Sequence, residues 1–161
     1  MQDRIVRSAT QRIEAPPAVV FPLICPVREA DWLDGWADGF ELIYSDSGLA
    51  EQDCVFRTVA EGEPEMIWTI SRHDPERGVV EFVRVLAGLV ATTLRVVIAD
   101  NHDGTSEVQI TYVITPVSED GARFAAARYG EEHVSRAIRR WEASMNHYLR
   151  TGECLREPAH A

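Results

Sequence analysis

The sequence predicts an α+β fold in which a curved antiparallel β-sheet of about seven strands wraps a long C-terminal helix, with two short helices after the first strand. Three observations carry that prediction. Val134, Ile138, Trp141, Met145 and Tyr148 recur at helical spacing near the end of the chain. The region before them breaks into short segments of period two. The turns between those segments are too short for the crossovers that parallel pairing requires, so neighbours run antiparallel.

Ile5 to Glu14 reads as the first strand, ended by Ala15-Pro16-Pro17. Pro17 suits a first helical turn, where its missing N–H loses no bond, and Val19, Val20, Phe21 and Leu23 continue a short apolar helix. A second short helix or turn is expected from Arg28 to Trp32, between Pro26 and Gly35. After Gly39 the period becomes two. Phe40 to Tyr44, Cys54 to Ala60, Glu65 to His73, Val79 to Leu86, Thr92 to Ala99 and Val108 to Thr115 are the expected strands. Turn sequences separate them, among them Ser45-Asp46-Ser47-Gly48, Glu61-Gly62-Glu63-Pro64 and Asp103-Gly104.

Ser118-Glu119-Asp120 supplies a hydroxyl cap and an acidic first turn for a helix, and Gly130 is expected to break it. The main helix is then expected from Glu131 to Thr151, roughly 30 Å at 1.5 Å per residue, with Gly152 as its C-terminal stop. Glu132, Arg136, Arg139, Arg140 and Glu142 mark the outer face.

With 161 residues the chain is expected to form one domain with room for a core and a cavity. Its formal net charge of -10 opposes phosphate backbones, so nucleic acid is not an expected partner. All 16 basic residues are arginine. The lack of lysine excludes Schiff-base chemistry, lysine general bases and phosphate-loop lysines. No apolar run reaches the ~20 residues of a membrane span and the N-terminus lacks a signal-peptide core, which makes the cytoplasm the expected location. Cys25, Cys54 and Cys154 are too far apart for a zinc knuckle and read as reduced packing thiols, with pocket lining the alternative for Cys25.

Strand, two short helices, about six antiparallel strands and a long C-terminal helix is the order of the helix-grip fold. The chain resembles the START-like (SRPBCC) superfamily, which includes Bet v 1 allergens, polyketide cyclases and lipid-transfer domains. The resemblance rests on Arg12-Ile13-Glu14-Ala15-Pro16-Pro17-Ala18-Val19-Val20-Phe21 and on Trp141 to Gly152. Cys25-Pro26-Val27-Arg28-Glu29 and Ser45-Asp46-Ser47-Gly48 are similar to a bacterial branch of it. The resemblance implies a deep apolar cavity between the concave sheet and the long helix.

Strand parity defines which side chains face that helix: Leu94, Val96 and Ile98; Val108, Ile110, Tyr112 and Ile114; Met66, Trp68 and Ile70; Cys54, Phe56 and Thr58. A solid core satisfies the same pattern as a pocket. The candidate ligand-binding residues are Trp32, Trp36, Phe56, Trp68, Phe82, Arg84, Tyr112, Trp141 and Tyr148, because indole and phenol groups join apolar bodies to polar tips. Trp32 and Trp36 flank Gly35 where this fold places the cavity mouth; a surface loop pinned by two tryptophans is the alternative. Arg84 shares a face with Val80, Phe82 and Leu86, opposite Glu81, and an inward guanidinium requires an anionic or acceptor partner.

His73 at a hairpin end reads as solvated, with proton exchange the alternative. His133 and His147, fourteen residues apart on one helix, are separated by roughly 21 Å and share no metal. Glu29 and Asp31 read as solvated acids; the alternative is a carboxylate at the cavity mouth, its pKa raised by desolvation. No G-x-S-x-G, G-x-G-x-x-G or H-E-x-x-H motif is present. Asp100-Asn101-His102-Asp103-Gly104 lacks the ligand spacing of a calcium loop. No metal or cofactor is expected. The expected partner is a small apolar ligand, lipid- or polyketide-like, with a homodimer left open. A cyclase or dehydratase using the same cavity is the alternative, with Arg84, His73, Tyr112 or a carboxylate moving protons.

Overall fold

In the computed structural model, Met1 and residues 3–158 are described. The first strand β1 (Ile5–Ile13) ends at Ala15-Pro16, and α1 (Pro17–Val20) starts on the proline at its first position, continuing as a 3-10 turn Phe21–Leu23. Two further short helices follow, α2 (Glu29–Trp32) and α3 (Trp36–Gly39). The sequence reading foresaw two short helices and missed α3, which is only four residues long, follows Gly35 and ends on Gly39. Gly35 takes φ 78° ahead of it, a left-handed conformation that glycine adopts without steric cost.

Six strands come next: β2 (Phe40–Tyr44), β3 (Val55–Thr58), β4 (Met66–Asp74), β5 (Val79–Leu86), β6 (Val90–Asp100) and β7 (Ser106–Pro116). With β1 they form one antiparallel sheet of seven strands, ordered β1-β7-β6-β5-β4-β3-β2. The strand expected over Cys54 to Ala60 is shorter at its C-terminal end. Val59 bonds back to the Gly39 carbonyl at 2.8 Å and the chain then turns at Ala60. β6 and β7 run longer than expected, since Val90 pairs with Pro116 and Asp100 with Ser106.

After β7, Ser118 caps α4 (Glu119–Arg128) by accepting a hydrogen bond from the Gly121 amide at 2.9 Å. Gly130 separates α4 from α5 (Glu131–Thr151), which stops at Gly152 in the left-handed region, φ 73°. The apolar stripe of α5 lies over the concave face of the sheet, with Val134, Ile138 and Met145 buried and Trp141 and Tyr148 partly so.

The free edge of β1 is closed by this helix. Glu142 accepts from the Arg12 amide at 2.7 Å, while Asn146 accepts from the Glu14 amide at 2.8 Å and donates to the Arg12 carbonyl at 3.0 Å. Gln11 donates to the Ile138 carbonyl at 2.8 Å. These bonds supply partners that an edge strand otherwise leaves exposed. They also place Glu142 against the sheet edge rather than on the outer face where the helical period put it. Beyond α5 the chain returns to α2: Leu155 bridges Leu33, and Arg156 pairs with Asp34 at 2.8 Å. No helix among the described residues is long and apolar enough to cross a membrane.

Candidate functional site

Between the concave face, α2, α3 and α5 lies a cavity of about 600 Å³. The parity argument explains its sheet wall. Phe56 on β3, Trp68 on β4, Phe82 on β5, Leu94 and Val96 on β6, and Ile110 and Tyr112 on β7 all point to one side and reach the space. Trp141 and Met145 form the helix wall, and Ile24, Trp32 and Trp36 close the end near the short helices. Asp38, Glu61 and Glu63 line the outer part, Asp38 and Glu61 being exposed.

The aromatic rings form a continuous surface. Trp36 stacks on Phe40 with centroids 5.9 Å apart, Phe40 packs on Phe56, and Phe56 stacks on Trp68 at 5.5 Å and 10°. Phe82 meets Phe56 and Trp68 edge-to-face, both at 88°. On the opposite side Tyr112 packs between Tyr129 and Trp141. Three indole N–H groups are used by the protein itself: Trp32 donates to the Leu23 carbonyl, Trp36 to the Pro26 carbonyl and Trp68 to the Thr58 hydroxyl. These bonds hold the rings in place. Trp32 and Trp36 thus pin their loop and line the cavity at once.

The polar groups are few. Arg84 stands opposite Trp68 in the β4–β5 ladder, and its guanidinium carbon lies 4.3 Å from that ring's centroid. It donates to the Tyr129 hydroxyl, while Glu63 close by is engaged by Arg128. A cation–π contact and a hydroxyl, rather than a carboxylate, are therefore the partners of this half-buried cation. Glu81, on the opposite face of β5, pairs with Arg95 at 2.6 Å.

Glu29, the first residue of α2, lines the same cavity. Burial alone pushes its carboxyl up to about 8, with no hydrogen bond or neighbouring cation to offset the loss of water. The Tyr112 phenol is raised above its ordinary range, chiefly by burial, with Arg84 opposing and Tyr129 and Glu29 adding to the shift. Asp31, two residues from Glu29, is an exposed partner of Arg28 at 2.6 Å. Asp31 is solvated as read, whereas Glu29 is half-buried and turns to the cavity, because the turn of α2 sends alternate acids to opposite sides.

The structure brings eight of the nine sequence-selected residues to this cavity: Trp32, Trp36, Phe56, Trp68, Phe82, Arg84, Tyr112 and Trp141. Tyr148 is not among the lining residues. It lies two turns beyond Trp141, beside Arg28. His73 is also elsewhere, its ring edge-on to Phe21 at 5.1 Å and its pKa lowered by burial. Cys25 is buried and its thiol accepts from the Ala50 amide, off the cavity lining; the three cysteines are free thiols. Sequence reasoning missed Gln11, a lining residue whose amide is spent on α5, and Tyr129, which stands outside the lining and accepts from Arg84. The only signal for Tyr129 was its place beside the helix break at Gly130.

No protein-family model and no curated protein matches the chain. Solved structures do. A norcoclaurine synthase from Thalictrum flavum, a point mutant in complex with a transition state analogue, matches over 92% of this chain and 98% of its own, with TM-score 0.68 and 10% identity. The Zhui aromatase/cyclase from Streptomyces sp. R1128 matches over 95% and 100%, with TM-score 0.66 and 15% identity. Ara h 8.0201 matches over 92% and 100%, with TM-score 0.59 and 11% identity. The chain spans about half, 48%, of DynU16 from the dynemicin biosynthetic locus, and 47% of the di-domain ARO/CYC BexL. At these identities the likeness is one of architecture: the chain has the helix-grip fold that these proteins share.

Proposed function

We propose that the chain binds a small hydrophobic or aromatic molecule in the cavity between sheet and α5. The observation that carries this reading is a space of about 600 Å³, walled mainly by aromatic and aliphatic side chains and holding a few polar groups that lack full protein partners. That volume is within the range of cavities that enclose ligands of drug size. Trp32, Trp36, Phe56, Trp68, Phe82, Tyr112 and Trp141 supply the contact surface, and Arg84 fixes orientation. Tyr148 has no part in it.

Trp68→Ala and Tyr112→Ala are expected to weaken binding of a fluorescent naphthalene probe by tenfold or more, since each removes a large contact face. Circular dichroism checks that the variants fold. Unchanged affinity in both folded variants removes the assignment.

A second reading is an enzyme of cyclase or dehydratase type. It is favoured by Glu29, Tyr112 and Arg84 lining one cavity, where a carboxyl with a pKa of about 8 can exchange a proton near neutral pH. Native mass spectrometry of freshly purified protein, followed by incubation with the captured molecule, separates the two. A guest recovered unchanged supports carriage, and a new product mass supports catalysis.

A further inference from the structure

We infer that Glu29 acts as a neutral carboxylic acid that, together with the Tyr112 hydroxyl, selects guests carrying a carbonyl oxygen. The inference rests on the cavity being a binding site and specifies which polar chemistry that site accepts.

Glu29 and Tyr112 reach the cavity from different elements, α2 and β7, and neither side chain makes a hydrogen bond to a described residue. Tyr112 nevertheless lies near enough to Glu29 for that carboxyl to act on its titration. A guest that fills the cavity displaces the water at these two groups, so one that supplies a hydrogen-bond partner binds in preference to one of equal shape that does not. What the two groups ask of a guest depends on their protonation. With its pKa pushed up to about 8, Glu29 keeps its proton at neutral pH. It then offers an O–H, as does Tyr112, and Arg84, its guanidinium over the Trp68 ring, adds N–H groups to the same lining. The lining therefore offers donors from three elements, α2, β5 and β7, and the group that can use all three is an acceptor. A ketone or aldehyde oxygen on an aromatic body meets that description. A carboxylate does so less well, because Asp38, Glu61 and Glu63 line the route inward and the chain carries a net charge of -10.

The titratable groups that face Glu29 across the cavity are Tyr112 on β7, Arg84 on β5, Asp38 on α3, and Glu61 and Glu63 in the loop after β3; Asp31 and Arg28 are its neighbours on its own segment. Replacing Glu29 alone leaves all of these in place, so their pH effects persist in the variants and serve as the control.

The experiment compares 2-acetylnaphthalene with 2-isopropylnaphthalene, which has a similar shape and no oxygen, by calorimetric titration between pH 6 and 9.5. Wild type is expected to prefer the ketone by about tenfold at pH 6.5, and the preference is expected to shrink as pH rises through about 8. Glu29→Gln keeps a neutral N–H donor and is expected to retain the preference with that pH dependence removed. Glu29→Leu, checked for folding by circular dichroism, is expected to lose the preference while still binding the hydrocarbon. Equal affinity of wild type for the two probes, or the same pH profile in wild type and Glu29→Gln, overturns the inference and leaves the binding reading intact. Stronger binding of protonated 2-(aminomethyl)naphthalene, lost in Glu29→Gln, also overturns it by showing that Glu29 works as a carboxylate. If neither neutral probe binds, the cavity reading falls as well.

Discussion

Glu29 couples folding to pH in a direction opposite to that of most carboxylates. An acid that is ion-paired in the native state has a lowered pKa and stabilises the fold above it. Asp74 is such a case, lowered by the Arg77 amide and the Arg72 guanidinium. Glu29 is raised, from 4.5 to about 8, by desolvation. Below pH 4.5 both the folded and unfolded chains hold its proton. Between 4.5 and about 8 the unfolded chain has released it and the folded chain has not, so stability falls as pH rises through this window and levels off above it. Glu29→Gln removes the charge without removing the amide-sized side chain. The variant is expected to match wild type in urea denaturation at pH 4.5 and to exceed it at pH 8.5, by on the order of 1–3 kcal/mol. A constant difference across that range would mean that Glu29 remains hydrated in the folded protein.

At the scale of elements, two glycines that look alike in the sequence have different reasons to exist. Gly130 interrupts a helical pattern, and the sequence alone places a break there; it precedes α5, and a Cβ built on it meets nothing within 4 Å. Gly121 sits inside α4, where helix propensity argues against glycine. A Cβ there would run into the carbonyl oxygen of Leu89, which accepts the Val117 amide at 2.8 Å in the turn between β5 and β6. Gly121→Ala is therefore expected to cost roughly 2 kcal/mol or more, because a backbone atom cannot move aside as a side chain can. Gly130→Ala is expected to stay within about 1 kcal/mol of wild type. Thermal melts of the two variants give the comparison, and equal melting temperatures would mean that α4 can shift away from the turn. The same contrast explains what could be read in advance. Periodicity and punctuation are local, so β2, β5 and α5 were legible to the residue. The close approach at Gly121 is tertiary, as are the use of Glu142 on the β1 edge and the inward turn of Glu29, and no local pattern encodes them. Eight lining residues were legible because strand parity and helical period fix the direction of a side chain. Tyr148 obeys the same period as Trp141, but the helix carries it beyond the end of the cavity.

Over the whole molecule, the sheet and α5 leave a space of about 600 Å³ between them. Side chains around such a space lack dispersion partners on one side, so an enclosed volume of this size lowers stability relative to a filled core. A fold that keeps it has room for stabilising changes that cost function. Val96, at the centre of β6, is 4% exposed and lines the cavity beside its ladder partner Ile110. Val96→Phe directs a ring into the open space without altering the outer face of the sheet. It is expected to hold or raise the melting temperature, since the added ring finds neighbours instead of water. It is also expected to weaken binding of the naphthalene probe at least tenfold by occupying the volume the probe needs. Melting and probe titration on the same preparation test both arms. A large fall in melting temperature would indicate that the ring had been forced into a packed core. The space between sheet and helix would then be too small to hold a guest, whatever polar groups face it.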